Sequence, residues 1–236
     1  MVKPTYEERE QRILDAAEKL FSHYGYDKTT VSDIAREAGI SKGAIYLHYK
    51  SKDALFEGLL TRELEVYTKR WMERIHEDPK GGTIGGMYKS SLYALSKSPF
   101  MAAMFKKDTR VLGSYLRKPD NLFRQEQHKS TRFEFIQMMQ AAGAMRGDMD
   151  AKVVAHIMNM LAYGLVGINE VMDEEDIPPI GDVIEGIAEL MDRALTPKDG
   201  NGEKGKELLQ KMVELGRLKH ERAQQEKEQQ AKEEKD

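Results

Sequence analysis

Apolar residues recur along this chain at intervals of three and four, the period of a helix face, rather than in the alternation of a half-buried strand. Near the N-terminus Ile13, Leu14, Ala17, Leu20, Phe21 and Tyr24 share one face, and Gly25 follows where a left-handed C-terminal cap would sit. Thr30 opens a second helix with Asp33 as its capping-box partner, and Val31, Ile34, Ala35 and Ala38 form its apolar side. Gly39 stops that helix. Ser41 is placed to cap a third, very short helix, and Ser51 a fourth that runs to about Glu77. No proline stands between Pro4 and Pro79, so nothing in this stretch forbids helix.

Beyond Gly81 and Gly82 the same period predicts helices over about 83–97, 100–116, 120–142, 151–173, 180–195 and 203–230. Pro99, Pro119 and the stretches "GAMRGD", "PPIG" and "TPKDGNG" supply the breaks. The expected fold is all-α, with about ten helices. Its N-terminal unit, residues 1–52, is a three-helix arrangement; residues 53–197 form a larger helical domain, and residues 198–236 a charged C-terminal helix or tail.

The stretch "TTVSDIAREAGISKGAIYLHY" reads as a helix, a tight "AGIS" turn and a second helix, the helix-turn-helix pattern whose second helix enters the DNA major groove. Ile45 and Tyr49, four apart, are the anchors that face the first two helices, leaving Lys42, Gly43, Ala44, Tyr46, Leu47 and His48 outward. Gly43 and Ala44 have almost no bulk, so backbone can approach base edges. Lys42 can donate to guanine O6 or N7 or to a phosphate, and Leu47 can touch a thymine methyl. Tyr46, His48 and Lys52, and the amides beside Thr30, are donors suited to phosphate oxygens.

Charge sharpens that picture. The chain of 236 residues is slightly acidic, with 37 Lys and Arg against 40 Asp and Glu, so a surface for a polyanion must be local. Residues 1–52 carry nine basic and eight acidic residues, yet "SKGAIYLHYKSK", residues 41–52, holds three lysines and no acid. A carboxylate in that window would face phosphates. Cysteine is absent, which excludes disulfides and thiolate metal sites. No run of about 18 apolar residues and no signal-peptide core is found, so a soluble cytoplasmic protein with no membrane partner is expected.

At these residues the chain resembles the tetracycline-repressor (TetR) family of transcriptional regulators. "ILDAAEKLFSHYGYDKTTVSDIAREAGISKGAIYLHYKSKDALF" carries the resemblance: the "AAEKLF" first helix, the helix-turn-helix, and the "YKSKDAL" opening of the fourth helix. The resemblance implies base-facing roles for Lys42, Gly43, Ala44 and Leu47, and phosphate contacts from Thr30, Tyr46, His48 and Lys52. Leu47 stands where the family often has an aromatic residue. Past residue 60 the resemblance is architectural only.

Twelve of the fourteen methionines lie between Met72 and Met191, interleaved with aromatic residues. Methionine packs adaptably, so this region fits either a methionine-rich core or an apolar ligand pocket between helices. The resemblance implies a pocket lined by the fourth to eighth helices, with Tyr67, Trp71, Met104 and Phe105 as candidate lining. It also implies that "AKVVAHIMNMLAYGLVGINEVM" and "IGDVIEGIAELMDRAL" pair with their symmetry mates in a homodimer. Residues 198–236 hold ten basic and ten acidic residues, and coiled-coil spacing lasts little more than one heptad, so the helix there is expected to dock over a short stretch and then run into a solvated end.

Three classes of function compete. A repressor released from a near-palindromic double-stranded operator by a small, largely apolar effector accounts for both halves of the chain. An enzyme would need chemistry the chain lacks: there is no phosphate-binding glycine loop, nucleophile elbow or His-Glu metal motif, and neither a cofactor nor a catalytic residue is expected. A DNA-binding architectural protein of the same fold without an effector is the alternative.

Overall fold

The computed structural model describes residues 5–119, 121–123, 131–198 and 202–233, and among these every regular element is a helix or a 3-10 turn. The elements are α1 (Tyr6–Lys28), α2 (Val31–Ala38), α3 (Lys42–His48), α4 (Lys52–Glu77), α5 (Ile84–Ser96), α6 (Pro99–Lys106), α7 (Thr109–Leu112), α8 (Thr131–Ala141), α9 (Ala151–Gly167), α10 (Ile180–Leu195) and α11 (Glu203–Glu233).

Each of the first four helices starts where a side chain can take up orphan amides. Thr5 caps α1 in a capping box with Glu8, and Thr30 caps α2 in a second box with Asp33. Ser41 Oγ accepts from the Ala44 amide at 3.1 Å, and Ser51 Oγ from the Ala54 amide at 3.0 Å. Gly39 ends α2 in the left-handed conformation, φ 63° and ψ 38°. Gly25 behaves differently from a terminal cap. It sits inside α1 at φ 79° and ψ 166° and kinks it, so that Tyr26, 4% exposed, enters the core while Tyr24 remains 54% exposed. The helical period placed Tyr24 on the core face; the helix is interrupted at the next residue, Gly25, and the aromatic residue found in the core is Tyr26.

The chain divides into two compact units, one from Met1–Glu73, Ser91–Ser130 and Met158–Val183, the other from Arg74–Ser90, Thr131–Ile157 and Ile184–Asp236. In the first, Ile13, Ala17, Phe21, Ile34, Ile45, Leu55, Phe56 and Leu59 close a continuous core. Leu112 and Tyr115, from far downstream, belong to the same core and are fully buried. Phe56 meets Phe21 edge-on at 4.8 Å and Tyr115 at 4.8 Å.

The single helix expected over 100–116 is broken. Lys107 takes the left-handed conformation (φ 53°), Asp108 caps the one-turn α7, and Gly113 at φ 49° leads into a 3-10 turn, Gly113–Arg117. A helix expected over 120–142 is seen as α8; residues 120 and 124–130 of that span lie outside the described residues. The helix expected over 151–173 ends at Gly167 and continues as a 3-10 turn to Glu170.

In the second unit Asp192 of α10 accepts from the Gly85 amide at 2.8 Å and from Thr83 Oγ1 at 3.0 Å. Gly82 and Gly205 bring the start of α11 against the turn before α5, where a Cβ on Gly205 would stand 2.0 Å from the Gly82 carbonyl oxygen. By length and composition one described helix, Ala151–Glu170, is apolar enough to cross a membrane, a test that the core helix of a soluble protein also passes. Its residues Val153, Ile157, Met160 and Tyr163, at helical spacing, are exposed opposite the buried Val154, Ala155, Met158 and Ala162.

Candidate nucleic-acid interface

The presentation of α3 follows from what holds its inner side. Ile45 is 1% exposed, and Tyr49, just past the helix end, is buried with its hydroxyl donating to Glu10 Oε1 of α1 at 2.8 Å. Burial, and then the bond to Glu10, push the Tyr49 phenol well above the ordinary range, so it stays a neutral donor. Arg12 Nη2 donates to the Ala38 carbonyl at 2.5 Å and closes the end of α2 against α1. These ties fix the angle at which α3 leaves the turn.

Its outer side carries the predicted base-facing set. Lys42 and Gly43 are exposed, Ala44 is half-buried, and Tyr46 and Leu47 are 44% and 74% exposed. A leucine three-quarters exposed on a seven-residue helix is an apolar group offered to something other than the core. The Lys42 ammonium lies 5.9 Å from the Tyr46 ring centre, so the two share one edge of the helix.

The phosphate set is less uniform. Thr30 is exposed, but its hydroxyl donates to Asp33 Oδ2 at 2.6 Å within the capping box, so its proton is already engaged. His48 is half-buried and stacks on Tyr6 at 3.9 Å. Its Nδ1 is buried without a hydrogen-bond partner among the described residues, so a phosphate contact from this ring would use Nε2. Lys52 is half-buried at the start of α4, its ammonium 4.1 Å from the Tyr26 ring centre, and burial lowers its pKa. Tyr6, which holds the His48 ring, and Tyr26, which supports Lys52, were not singled out from the sequence. An aromatic residue at the first position of a helix and one beside a kinking glycine give no periodic signal.

The four candidate ligand residues all lie in the first unit and divide among three surroundings. Tyr67 and Trp71 lie one turn apart on α4 with ring centres 6.3 Å apart, and the Tyr67 hydroxyl donates to the Ser91 carbonyl at 3.4 Å. Phe105 packs on Tyr163 of α9 at 4.7 Å, and the Tyr163 hydroxyl donates to the Phe105 carbonyl at 3.0 Å. Met104 packs against the N-terminal core. Within the second unit an open cleft of about 420 Å³ lies between α8 and the start of α9, lined by Phe133, Gln137, Gln140, Met149, Asp150 and Lys152. None of the four candidates lines it. Among the described residues no three His, Asp or Glu side chains are grouped to hold a metal.

An exposed, acid-free recognition helix on a buried three-helix scaffold defines a helix-turn-helix protein. Residues 13–59 match the family model described as bacterial regulatory proteins, tetR family, and the N-terminal domain of the chain is a tetR-family domain. An HTH-type transcriptional repressor of Mycobacterium tuberculosis is 46% identical over 57 residues, which cover 24% of this chain and 30% of that protein. The fatty acid metabolism regulator protein of Bacillus subtilis is 24% identical over 171 residues, covering 67% of this chain and 88% of that protein. Among solved structures, the transcriptional regulator FadR of Bacillus subtilis in complex with stearoyl-CoA aligns with a TM-score of 0.56 at 19% identity. That alignment covers 77% of this chain and 96% of that one, and shows that the fold extends well past the helix-turn-helix.

Proposed function

We propose that the protein is a sequence-specific, DNA-binding transcriptional regulator, a cytoplasmic repressor that leaves its operator when a small, largely apolar ligand occupies the helical region after residue 52. The observation that carries this reading is the face of α3. Lys42, Gly43, Tyr46 and Leu47 are exposed together, with no carboxylate between residues 41 and 52. Lys42, Gly43, Ala44 and Leu47 read bases; Tyr46, His48 through Nε2, Lys52 and the amides beside Thr30 hold phosphates.

The operator is a near-palindrome read by a C2 homodimer, with half-sites about one DNA turn, roughly 34 Å, apart or slightly more. Support for the dimer comes from the exposed apolar stripe of α9 and from Ile180 and Leu190 of α10, which are 48% and 69% exposed. Functionally the chain divides into a DNA-binding part over residues 1–52, an effector and dimerisation part over 53–197 and a charged tail over 198–236. The effector class favoured is a long acyl chain, which suits a methionine-rich helical region; the Bacillus subtilis relative named for fatty acid metabolism supports it. At 1.5 Å per residue the 26-residue α4 spans roughly 39 Å, from Lys52 past Tyr67 and Trp71, and a tilt of this helix would couple the two events. Ligand and DNA then weaken each other's binding by one factor, typically about 5- to 150-fold.

Selection of binding sites from random duplex DNA tests the first part. Enrichment of a near-palindrome is expected, and failure to enrich any sequence sinks the reading. Titrating stearoyl-CoA, free long-chain fatty acids and lipophilic aromatic compounds into the protein–operator complex tests the second. If none shifts both the thermal midpoint and operator affinity, the architectural alternative without an effector takes its place.

A further inference from the structure

We propose that the segment Gly113–Lys118 is a clamp that holds Asp27 and Asp53 away from Lys52, and so leaves the Lys52 ammonium available to a DNA phosphate. This rests on the DNA-binding reading above and makes Ser114 and Lys118 positioning residues for it, more than sixty residues beyond the recognition helix.

Lys52 opens α4 next to the candidate DNA surface, yet two carboxylates lie close enough to act on its charge, Asp27 at the end of α1 and Asp53 in the first turn of α4. Either could capture the ammonium and also repel a phosphate. Neither does: among the described residues no carboxylate pairs with Lys52, whose ammonium rests on the Tyr26 ring instead. Both acids are engaged from one segment. Ser114 donates its amide to Asp27 Oδ1 and Oδ2, each at 3.1 Å, and its hydroxyl to Oδ1. Lys118 pairs with Asp53 Oδ2, and its ammonium also donates to the Tyr26 hydroxyl at 3.2 Å, while Tyr26 donates to Asp53 Oδ1.

The backbone is shaped for this approach. Gly113 has φ 49°, and a Cβ there would stand 2.5 Å from Asp27 Oδ2. On the other side of the same contact, a Cβ on Gly25 would stand 2.1 Å from the Arg110 carbonyl oxygen. The segment is seated by Tyr115, which is 1% exposed in the N-terminal core and donates its hydroxyl to Glu57 Oε1 at 3.0 Å. The bonds from Ser114 lower the Asp27 pKa; for Asp53, burial pushes upward but the bonds from Lys118 and Tyr26 outweigh it. Both acids are thus charged and spoken for. The plainer account is that Asp27 caps the 3-10 turn and that Lys118 with Asp53 is an ordinary surface pair; under that account nothing depends on Lys52.

The test uses the full chain and the DNA site that the wild type selects, with affinity measured as a function of salt. Lys118→Met is expected to weaken binding about tenfold and to flatten the salt dependence by about one phosphate contact. Lys118→Arg should retain wild-type affinity. Ser114→Ala, which frees Asp27 alone, should act in the same direction. In a Lys52→Gln background Lys118→Met should cost nothing further, and Asp53→Asn should restore the Lys118→Met protein to the affinity of Asp53→Asn alone. A Lys118→Met loss that is the same with and without Lys52 overturns the clamp, because it marks a direct contact or a fold defect. So does wild-type affinity in Lys118→Met. If the wild type selects no DNA at all, the DNA-binding reading falls and the clamp with it; tight wild-type binding with a Lys52-independent loss removes the clamp alone.

Discussion

Tyr26 joins the core of the first unit to its charged edge, and its titration reports on both. Burial, followed by the bond to Asp53, raises its phenol from the ordinary value near 10 to about 12. A group that holds its proton more tightly when folded contributes stability that is complete below pH of about 10 and is lost as pH climbs toward 12. Alkaline titration followed at the phenolate absorbance should therefore show Tyr26, with the buried Tyr49 and Tyr115, ionising late and together with loss of helix. Early, reversible ionisation of every tyrosine would contradict the packing. Asp27, Asp33 and Asp53 have lowered pKa values, so their contribution is present above the ordinary carboxylate range, about pH 4, and fades below it. On the recognition helix, Leu47→Ala or Lys42→Ala should change which bases are selected, by about 1–3 kcal/mol where a good bidentate pair is lost. Tyr46→Ala should weaken all sites alike and flatten the salt dependence. Site selection repeated with each variant separates the two outcomes.

Among the elements, α1 and α4 share an ionic cluster centred on one side chain. Arg62, whose side chain is 13% exposed, reaches Asp15 at 2.6 Å, Glu18 at 2.9 Å and its neighbour Glu63 at 2.9 Å. Glu63 is itself 6% exposed. Removing the guanidinium would leave that buried carboxylate unpaired, so Arg62→Ala is expected to cost roughly 3 kcal/mol, read from chemical denaturation. A loss below about 0.5 kcal/mol would show an exposed pair of little weight. How much of this was legible differs by element. The caps Thr30, Ser41 and Ser51 and the stop at Gly39 could be read directly, because a side chain bonding an amide three residues on is a local rule. So could the buried Ile45 and Tyr49, four apart on a short helix. The break at Lys107 could not: no glycine or proline marks it, and a lysine in the left-handed conformation is held there by its surroundings. The Arg62 cluster and the clamp at Ser114 and Lys118 join positions 44 to 87 residues apart, and no spacing rule connects such positions. For the ligand residues the sequence offered apolar character alone, which cannot tell a pocket wall from a core contact, and Met104 is found against the core.

At the scale of the molecule, the exposed apolar faces of α9 and α10 bear on assembly. Met160→Glu combined with Leu190→Glu should turn a dimer at micromolar concentration into a monomer with wild-type helicity, checked by sedimentation and circular dichroism, and operator affinity should collapse with it. A wild-type monomer that still binds operator tightly would refute the two-fold arrangement. The burial of Leu112 and Tyr115 in the core of the helix-turn-helix bears on something else, the order in which the protein can be made. Phe21 and Tyr115 stand 94 positions apart, and closing so long a loop costs chain entropy that the early helices cannot offset by themselves. A ribosome that has released α1 to α4 has released an α3 whose scaffold still lacks Phe100, Leu112 and Tyr115, three of its buried packing residues. The helix-turn-helix is therefore expected to reach its packed form only after the stretch through Phe123 has emerged, late in synthesis rather than first. A fragment ending at residue 60 should accordingly be largely unfolded by hydrogen exchange, and one extended to residue 123 should show protected amides in α1.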